Sequence, residues 1–296
     1  MAASTFSTGS LGADVVPSSE TPSVVIRPAS RWESPNLREL WRFRYLLPIM
    51  VSRNVRRRYR QTLLGPVWFV LTPLLRMVLF SLLLGYVARL PSDGVPYPIF
   101  TYTALLPWEL FTAGVSRTTA SLLTYMHIIS KIYFPRLILP ICETLTAFVD
   151  FSISFVILLA MAFYFGYTIT PRLFVLPFLI LLAMGLGCGV GLFFAALQVR
   201  YRDVGNLVNY MVQIWFYATP VAYSANLLNH RLPEPLLWVY RLNPMNGVVE
   251  GFRWALLGAG RAPDWMLAGT ALLVCLVLCG SAMFFYRTEH SIVDLV

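Results

Sequence analysis

Six stretches of this chain run for about twenty predominantly apolar residues each: 66–88, 99–117, 137–165, 174–199, 204–223 and 264–286. A helix of about 20 apolar residues crosses the roughly 30 Å hydrocarbon core of a bilayer. A spanning segment must also satisfy its own backbone hydrogen bonds, which leaves helices as the solution for runs of this length. The pattern predicts an all-α integral membrane protein with six transmembrane helices. Between the fifth and sixth runs, 224–263 is half apolar and broken by Pro233, Pro235 and Pro244. Such a segment is too interrupted to span and too apolar for a free loop. Two short re-entrant or gate helices, within 233–258, are expected there.

Composition agrees. Of 296 residues, 57% are hydrophobic and 12% charged, against about 25% charged in ordinary soluble domains. A soluble domain of this size could not cover its surface with so few charges. The first 33 residues are rich in Ser, Thr, Pro, Ala and Gly, lack periodicity and contain no signal-peptide core. They read as a disordered tail before a single transmembrane domain at 34–296. Residues 36–60 follow, with Ser34 placed to cap a helix and Pro35 in its first turn. Leu37, Leu40, Trp41 and Tyr45 fall near one face, with Arg38, Arg42 and Arg44 largely off it. This is the pattern of an amphipathic helix lying in the membrane interface.

A net charge of +9 raises the question of nucleic acid, and the placement of the charge answers it. Ten of the 23 basic residues precede Gly65, ahead of the first span. With the N-terminus inside, the inner segments hold sixteen and the outer ones six, with Arg76 inside the first span. Cytoplasmic loops carry the excess of Lys and Arg. Both termini are therefore expected in the cytoplasm, and the cluster at 56–60 is an anchor against anionic lipid or a partner surface, with no nucleic acid bound.

Residues for covalent or acid–base chemistry do not assemble. The lone lysine, Lys131, follows "TYMHIIS", so the glycine-rich turn of a P-loop is missing. His127, His230 and His290 lack metal spacing. Cys142, Cys188, Cys275 and Cys279 sit in apolar runs without a Cys-x-x-Cys pair, and read as small packing residues. "GLGCGVGLFF" at 185–194 contains overlapping Gly-x-x-x-Gly, the signature of close helix packing in a membrane. A transport pathway needs none of the missing chemistry. An ion-coupled transporter and a membrane-embedded lipid-linked sugar transferase are the alternatives. The first would use charges within spans and the second a convergent set of acidic groups.

Several motifs occur in a fixed order: "RYRQTLLGPVW" (58–68), "LLPWELF" (105–111), "KIYFPRLILP" (131–140), "VRYRDV" (199–204), "TPVAYS" (219–224) and "LNPMNGVVEGFRWALLG" (242–258). Together they resemble the ABC-2 type permease family, and within it the polysaccharide and polyol-phosphate exporters. The resemblance covers nearly the whole chain from Trp32. It implies a permease subunit of the cytoplasmic (inner) membrane that pairs with a second copy of itself and with two separate ABC ATPase subunits. ATP and Mg are expected on those ATPases, with no cofactor on this chain. The implied cargo is a lipid-linked glycan of O-antigen, capsule or teichoic-acid type, moved outward.

Candidate sites follow. Sugar rings stack on aromatic rings, so Trp68, Trp108, Trp215, Phe216, Tyr217 and Tyr223 are candidates for lining a conduit. Aromatic residues also collect at both bilayer interfaces, which is the simplest account of Trp68 and Tyr223, whereas Trp215, Phe216 and Tyr217 lie deeper and cluster. The resemblance places an ATPase-coupling segment at about 119–135. There Leu122, Leu123, Tyr125, Met126, Ile128 and Ile129 form an apolar surface in a cytoplasmic position, with His127 and Lys131 beside them. Arg200 and Arg202 match the family's cytoplasmic turn. Arg76, Glu109 and Asp150 lie within spans. Arg76 is ten residues in from Pro66, about 15 Å deep, where a bare arginine costs at least about 2.5–3.5 kcal/mol. It is expected to pair with Glu109 first and Asp150 second, or to face a wet lumen.

Overall fold

A computed structural model of the chain describes residues 37–59, 67–129, 131, 134–168, 170–229, 233–260, 262 and 264–293. The expected N-terminal tail, the cap at Ser34 and part of the arginine cluster lie outside the described residues. Every regular element among those described is helical. In chain order they are α1 (Leu37–Arg42), α2 (Leu46–Tyr59), α3 (Val67–Phe80), α4 (Tyr97–Thr124), α5 (Met126–Ile129), α6 (Ile138–Tyr164), α7 (Leu176–Arg200), α8 (Val204–Tyr217), α9 (Ala225–Asn229), α10 (Glu234–Arg241), α11 (Pro244–Leu257) and α12 (Trp265–Val293). A π-helical stretch, Ser81–Val87, prolongs α3, and a 3-10 turn, Pro171–Val175, leads into α7.

Among the described residues, four helical segments are long and apolar enough to cross a membrane: Val70–Val87, Ile138–Tyr164, Pro171–Arg200 and Trp265–Thr288. They correspond to the first, third, fourth and sixth runs. The other two runs differ for different reasons. The second run becomes α4, whose 28 residues reach about 42 Å. Its average hydropathy is lowered by Thr101, Thr103, Glu109, Arg117, Thr118, Thr119 and Ser121. Most of these are buried against other helices, so lipid does not meet them. The fifth run yields only the 14-residue α8, about 21 Å long, before the chain turns at Ala218.

α4 is the centre of the molecule and packs against α7, α6, α11, α3 and α8. From Ile99 to Phe111 every residue except Glu109 is buried. The glycine series makes the closest contacts possible, and it faces two ways. A Cβ added at Gly187 would lie 2.9 Å from the Phe111 carbonyl, and one at Gly191 2.5 Å from Thr118 Cβ, both on α4. Gly185 and Gly189, half a turn away, present the same bareness to Val274 and Leu278 of α12. The expected close packing is present, on two opposite faces of α7.

The interface helix is broken at residues 43–45 into α1 and α2. Its buried stripe is Leu40, Phe43, Leu46, Leu47, Met50 and Val51, packed on Leu122, Tyr125 and Phe134. Trp41 and Tyr45 lie on the other side and are exposed. Those two aromatics do not join the stripe packed against the bundle. The expected pair of short helices in 233–258 is α10 and α11. Asn243 caps α11 by accepting from the Met245 N–H, Pro244 opens its first turn, and Gly258 ends it at φ +68°.

Candidate functional site

α8 has two contrasting faces. Val204, Val208, Val212 and Trp215 point into the core. Asn206, Tyr210, Gln213 and Tyr217, spaced at helical intervals of four, three and four, all point out. Tyr210 and Tyr217 are 68% and 69% exposed. Leu207, Asn209 and Ile214 flank the stripe and are exposed too. Amides alternating with phenols along one line offer hydrogen bonds and ring faces together. A lipid-facing helix has no use for amides, because hydrocarbon cannot pair them.

The aromatic candidates separate by burial. Trp108 is 3% exposed and enclosed by Phe111 and Phe216 at centroid distances of 5.3 and 5.5 Å. It is core, so its assignment to a conduit wall is corrected. Trp215 is half-buried. Its indole N–H donates to Asn243 Oδ1 at 2.9 Å, and its ring meets Phe111 edge-on at 5.0 Å. Phe216 is likewise half-buried and stacks on Phe80 of α3 at 5.7 Å. Tyr223 donates to the Tyr217 carbonyl at 3.0 Å. Only Trp68 and Tyr217 of the six are largely exposed. Sequence reasoning missed Asn206, Tyr210 and Gln213, although their spacing with Tyr217 was a readable signal.

Two ion pairs tie α4 to its neighbours α3 and α6. Arg76 donates to Glu109 at 3.1 Å, the first of the expected pairings. Asp150 is instead 2.6 Å from Arg117. The sequence had placed Arg117 at the cytoplasmic end of the second span. α4 continues for two further turns to Thr124, which draws Arg117 inward to within reach of α6. Glu109, Ala113 and Arg117, each one turn apart, line a small pocket with Asp150 and Ser154. Arg76 remains 54% exposed, so it is both paired and open on one side.

At the end of the bundle that carries α2 and α5, a buried polar knot joins three elements. The Tyr125 hydroxyl lies 2.7 Å from both Glu143 Oε1 and Asn54 Oδ1, and Asn54 Nδ2 donates to Glu143 Oε1 at 3.0 Å. Arg53 covers the Tyr125 ring at 5.5 Å. Burial, reinforced by the bond to Glu143, raises the Tyr125 pKa above its ordinary value. Tyr125 and Leu122 are each 1% exposed. They are not the open apolar surface expected of a docking segment, because α2 covers them. The residues left accessible there are His127, Lys131, Arg200 and Arg202, with Met126, Ile128 and Ile129 half-buried. Asn54 was legible as the one amide in the buried stripe of α2, one turn after Met50.

The opposite end is tied by Arg253, one of the six basic residues counted in the outer segments. It is fully buried. It pairs with Glu250 at 2.9 Å, donates to the Val221 and Tyr223 carbonyls at 2.9 and 3.3 Å, and lies 3.6 Å above the Phe100 ring. Asn243 donates to the Ala218 carbonyl and Thr219 Oγ1 at 3.2 and 2.9 Å. Asp93 accepts from Ser224 at 2.6 Å and from Asn226 at 3.3 Å. The turn after α8 is thus held from three sides.

A multi-pass helical membrane protein with an amphipathic helix at one end and short helices at the other has the form of a transporter's membrane subunit. The family model for the ABC-2 type transporter matches residues 45–257, and the chain belongs to that family. Among curated relatives, it is 29% identical over 257 residues to the O-antigen export system permease protein RfbA of Myxococcus xanthus, covering 86% of this chain and 96% of that one. A Klebsiella pneumoniae protein of the same name is 26% identical over 70% of this chain and 78% of its own length. The polysialic acid transport protein KpsM of Escherichia coli is 24% identical over 81% and 91%.

Proposed function

We propose that this chain is the membrane subunit of an ABC exporter that moves a lipid-linked polysaccharide outward across the cytoplasmic membrane. The observation that carries the reading is the α8 stripe of Asn206, Tyr210, Gln213 and Tyr217. Its mixture of amides and phenols suits a polyhydroxylated chain that must be held weakly and released. Family membership and the names of the relatives support the same cargo class. In this reading α4 and α8 complete six crossings, α4 because its polar groups are shielded by neighbours and α8 together with the 218–224 turn that follows it, since the 14-residue helix alone is too short. The excess of Lys and Arg supports cytoplasmic termini. A second copy of the chain faces α8 and α3, and two ATPase subunits dock near His127, Lys131, Arg200 and Arg202.

Deleting the gene should leave the polymer synthesised but stranded inside the cell, and restoring it should return polymer to the surface. Normal surface polymer in the deletion strain, with no redundant exporter, would refute the proposal. Co-purification with an ABC ATPase whose hydrolysis rises with cargo supplies the positive counterpart.

A further inference from the structure

The interface helix carries apolar residues on two sides. One side, through Leu47, Met50 and Val51, packs on the bundle. The other holds Trp41, Tyr45 and Ile49, which are 68%, 57% and 61% exposed. Ile49, Arg53 and Arg56 follow one another at intervals of four and three along α2, opposite the buried Met50 and Asn54. Arg38, Arg42, Arg44 and Arg57 are exposed as well.

The charge of this face has no counterpart within the protein. Six arginines with described side chains stand on α1, α2 and the turn between them, against one acid, Glu39. Among the described residues, none of the six is ion-paired with a carboxylate. Their other contacts are with neutral groups. Arg44 lies 4.7 Å from the Trp41 ring and donates to the Trp41 carbonyl at 3.2 Å. Arg56 donates to Ser52 Oγ at 2.8 Å, and Arg53 lies 5.5 Å from the Tyr125 ring. These contacts orient guanidinium groups without neutralising them.

The packing of α2 sets the level at which this face lies. α6 becomes apolar enough to span from Ile138. Met50 packs in one cluster with Ile138, Leu139 and Cys142. Asn54 donates to Glu143 at 3.0 Å, five residues on from Ile138 and so about 7.5 Å along the helix. α2 therefore runs beside the first turns of a span, at the depth where lipid phosphates meet acyl chains. Trp and Tyr rings favour that layer. Arginine stems lie along apolar surface while their heads reach phosphate. A soluble partner would have to displace headgroups to reach the same face.

We propose that the open face of α1 and α2 is a docking surface for anionic phospholipid of the cytoplasmic leaflet. Its arginines meet the phosphates, and Trp41, Tyr45 and Ile49 sit among the upper acyl chains. This surface is independent of the cargo, so its failure would leave the deletion phenotype intact.

The test uses the full-length permease in neutral detergent micelles. A fluorescent phosphatidylglycerol and a phosphatidylcholine of the same chain length are titrated in, and binding is read by anisotropy. Phosphatidylglycerol should be preferred by about tenfold or more, since each arginine near an anionic headgroup contributes. Glycerol 3-phosphate, the free headgroup, should not compete, because it lacks the chains that the apolar residues hold. Joint replacement by Arg38→Gln, Arg42→Gln, Arg56→Gln and Arg57→Gln should abolish the preference without lowering the melting temperature. Arg200→Gln with Arg202→Gln, in the other exposed basic cluster, should retain it. Arg42→Glu alone should weaken phosphatidylglycerol binding about fivefold or more, and it decides the case if the fourfold variant does not fold. Equal affinity for the two lipids, competition by glycerol 3-phosphate, a preference that survives the four replacements, or unchanged binding in Arg42→Glu would each overturn the proposal. Loss of ATPase co-purification in the fourfold variant with its lipid preference intact would assign the face to the ATPase instead.

Discussion

α7 and α8 are separated by three residues and have opposite surroundings. α7 is pressed on both sides, by α4 at Gly187 and Gly191 and by α12 at Gly185 and Gly189. α8 is pressed on one side only, by Val204, Val208, Val212 and Trp215, and leaves its other side open. Both come from apolar runs of the same kind. The difference is carried by small residues in the first and by regularly spaced amides and phenols in the second. Small residues let backbones approach until nothing can move between them. In the proposed function, the amides and phenols on the outward face of α8 border the path of a polar cargo.

The contrast predicts a hierarchy of effects. The largest belongs to α7. Gly191→Leu sets a side chain 2.5 Å from Thr118 Cβ, well beyond the roughly 1–3 kcal/mol of ordinary overpacking. Folded permease should disappear from the membrane, as size-exclusion chromatography in detergent would report. Next comes the turn that fixes the end of α8. Arg253→Met strands Glu250, and breaking a buried pair in this way costs about 3–5 kcal/mol. The melting temperature should fall sharply, and adding Glu250→Gln should recover a large part of it.

A smaller loss is expected at Arg76, which is paired on one side and open on the other. Arg76→Gln should lower stability by about 1 kcal/mol, the value of a charge-assisted bond discounted for its exposure. Glu109→Gln in addition should restore it if the arginine serves only the pair. Persistent failure of export in the stable double variant would show that the open side is used. On α8 itself the stability effect should be smallest. Tyr217→Ala and Tyr210→Ala should melt within about 0.5 kcal/mol of the parent, as exposed substitutions do, while surface polymer falls. A drop in both together would mean that the stripe is packed rather than working.

The same contrast explains what could be read from the sequence. Runs of apolar residues located the first, third, fourth and sixth spans within a few positions, and the glycine spacing announced the tight packing of α7. The Arg76–Glu109 pair followed from matched depth and from the short loop that joins the first two spans. What was missed depended on contacts between distant segments. Arg117 was placed at the cytoplasmic end of the second span because the end of α4 cannot be read from hydropathy when its last two turns are polar and largely buried. Arg253 was counted as an outer charge because nothing local shows that Phe100 and the 221–223 carbonyls surround it. Tyr125 was read as surface because its cover, α2, lies more than sixty residues earlier. Trp108 and Tyr217 have the same aromatic character in sequence, and only packing separates the buried one from the open one.

The central claim is that the α8 stripe borders a water-filled path. Cysteine labelling tests it most directly, since thiols react through the thiolate and so need water. In a background with the exposed Cys275 and Cys279 replaced by alanine, Gln213→Cys would be compared with Leu276→Cys on the exposed face of α12. A hydrophilic maleimide is applied to membranes during active export. The account predicts labelling at 213 that is faster than at 276 and that slows when the conduit holds polymer. Equal and negligible labelling at both positions would place α8 against lipid and contradict it.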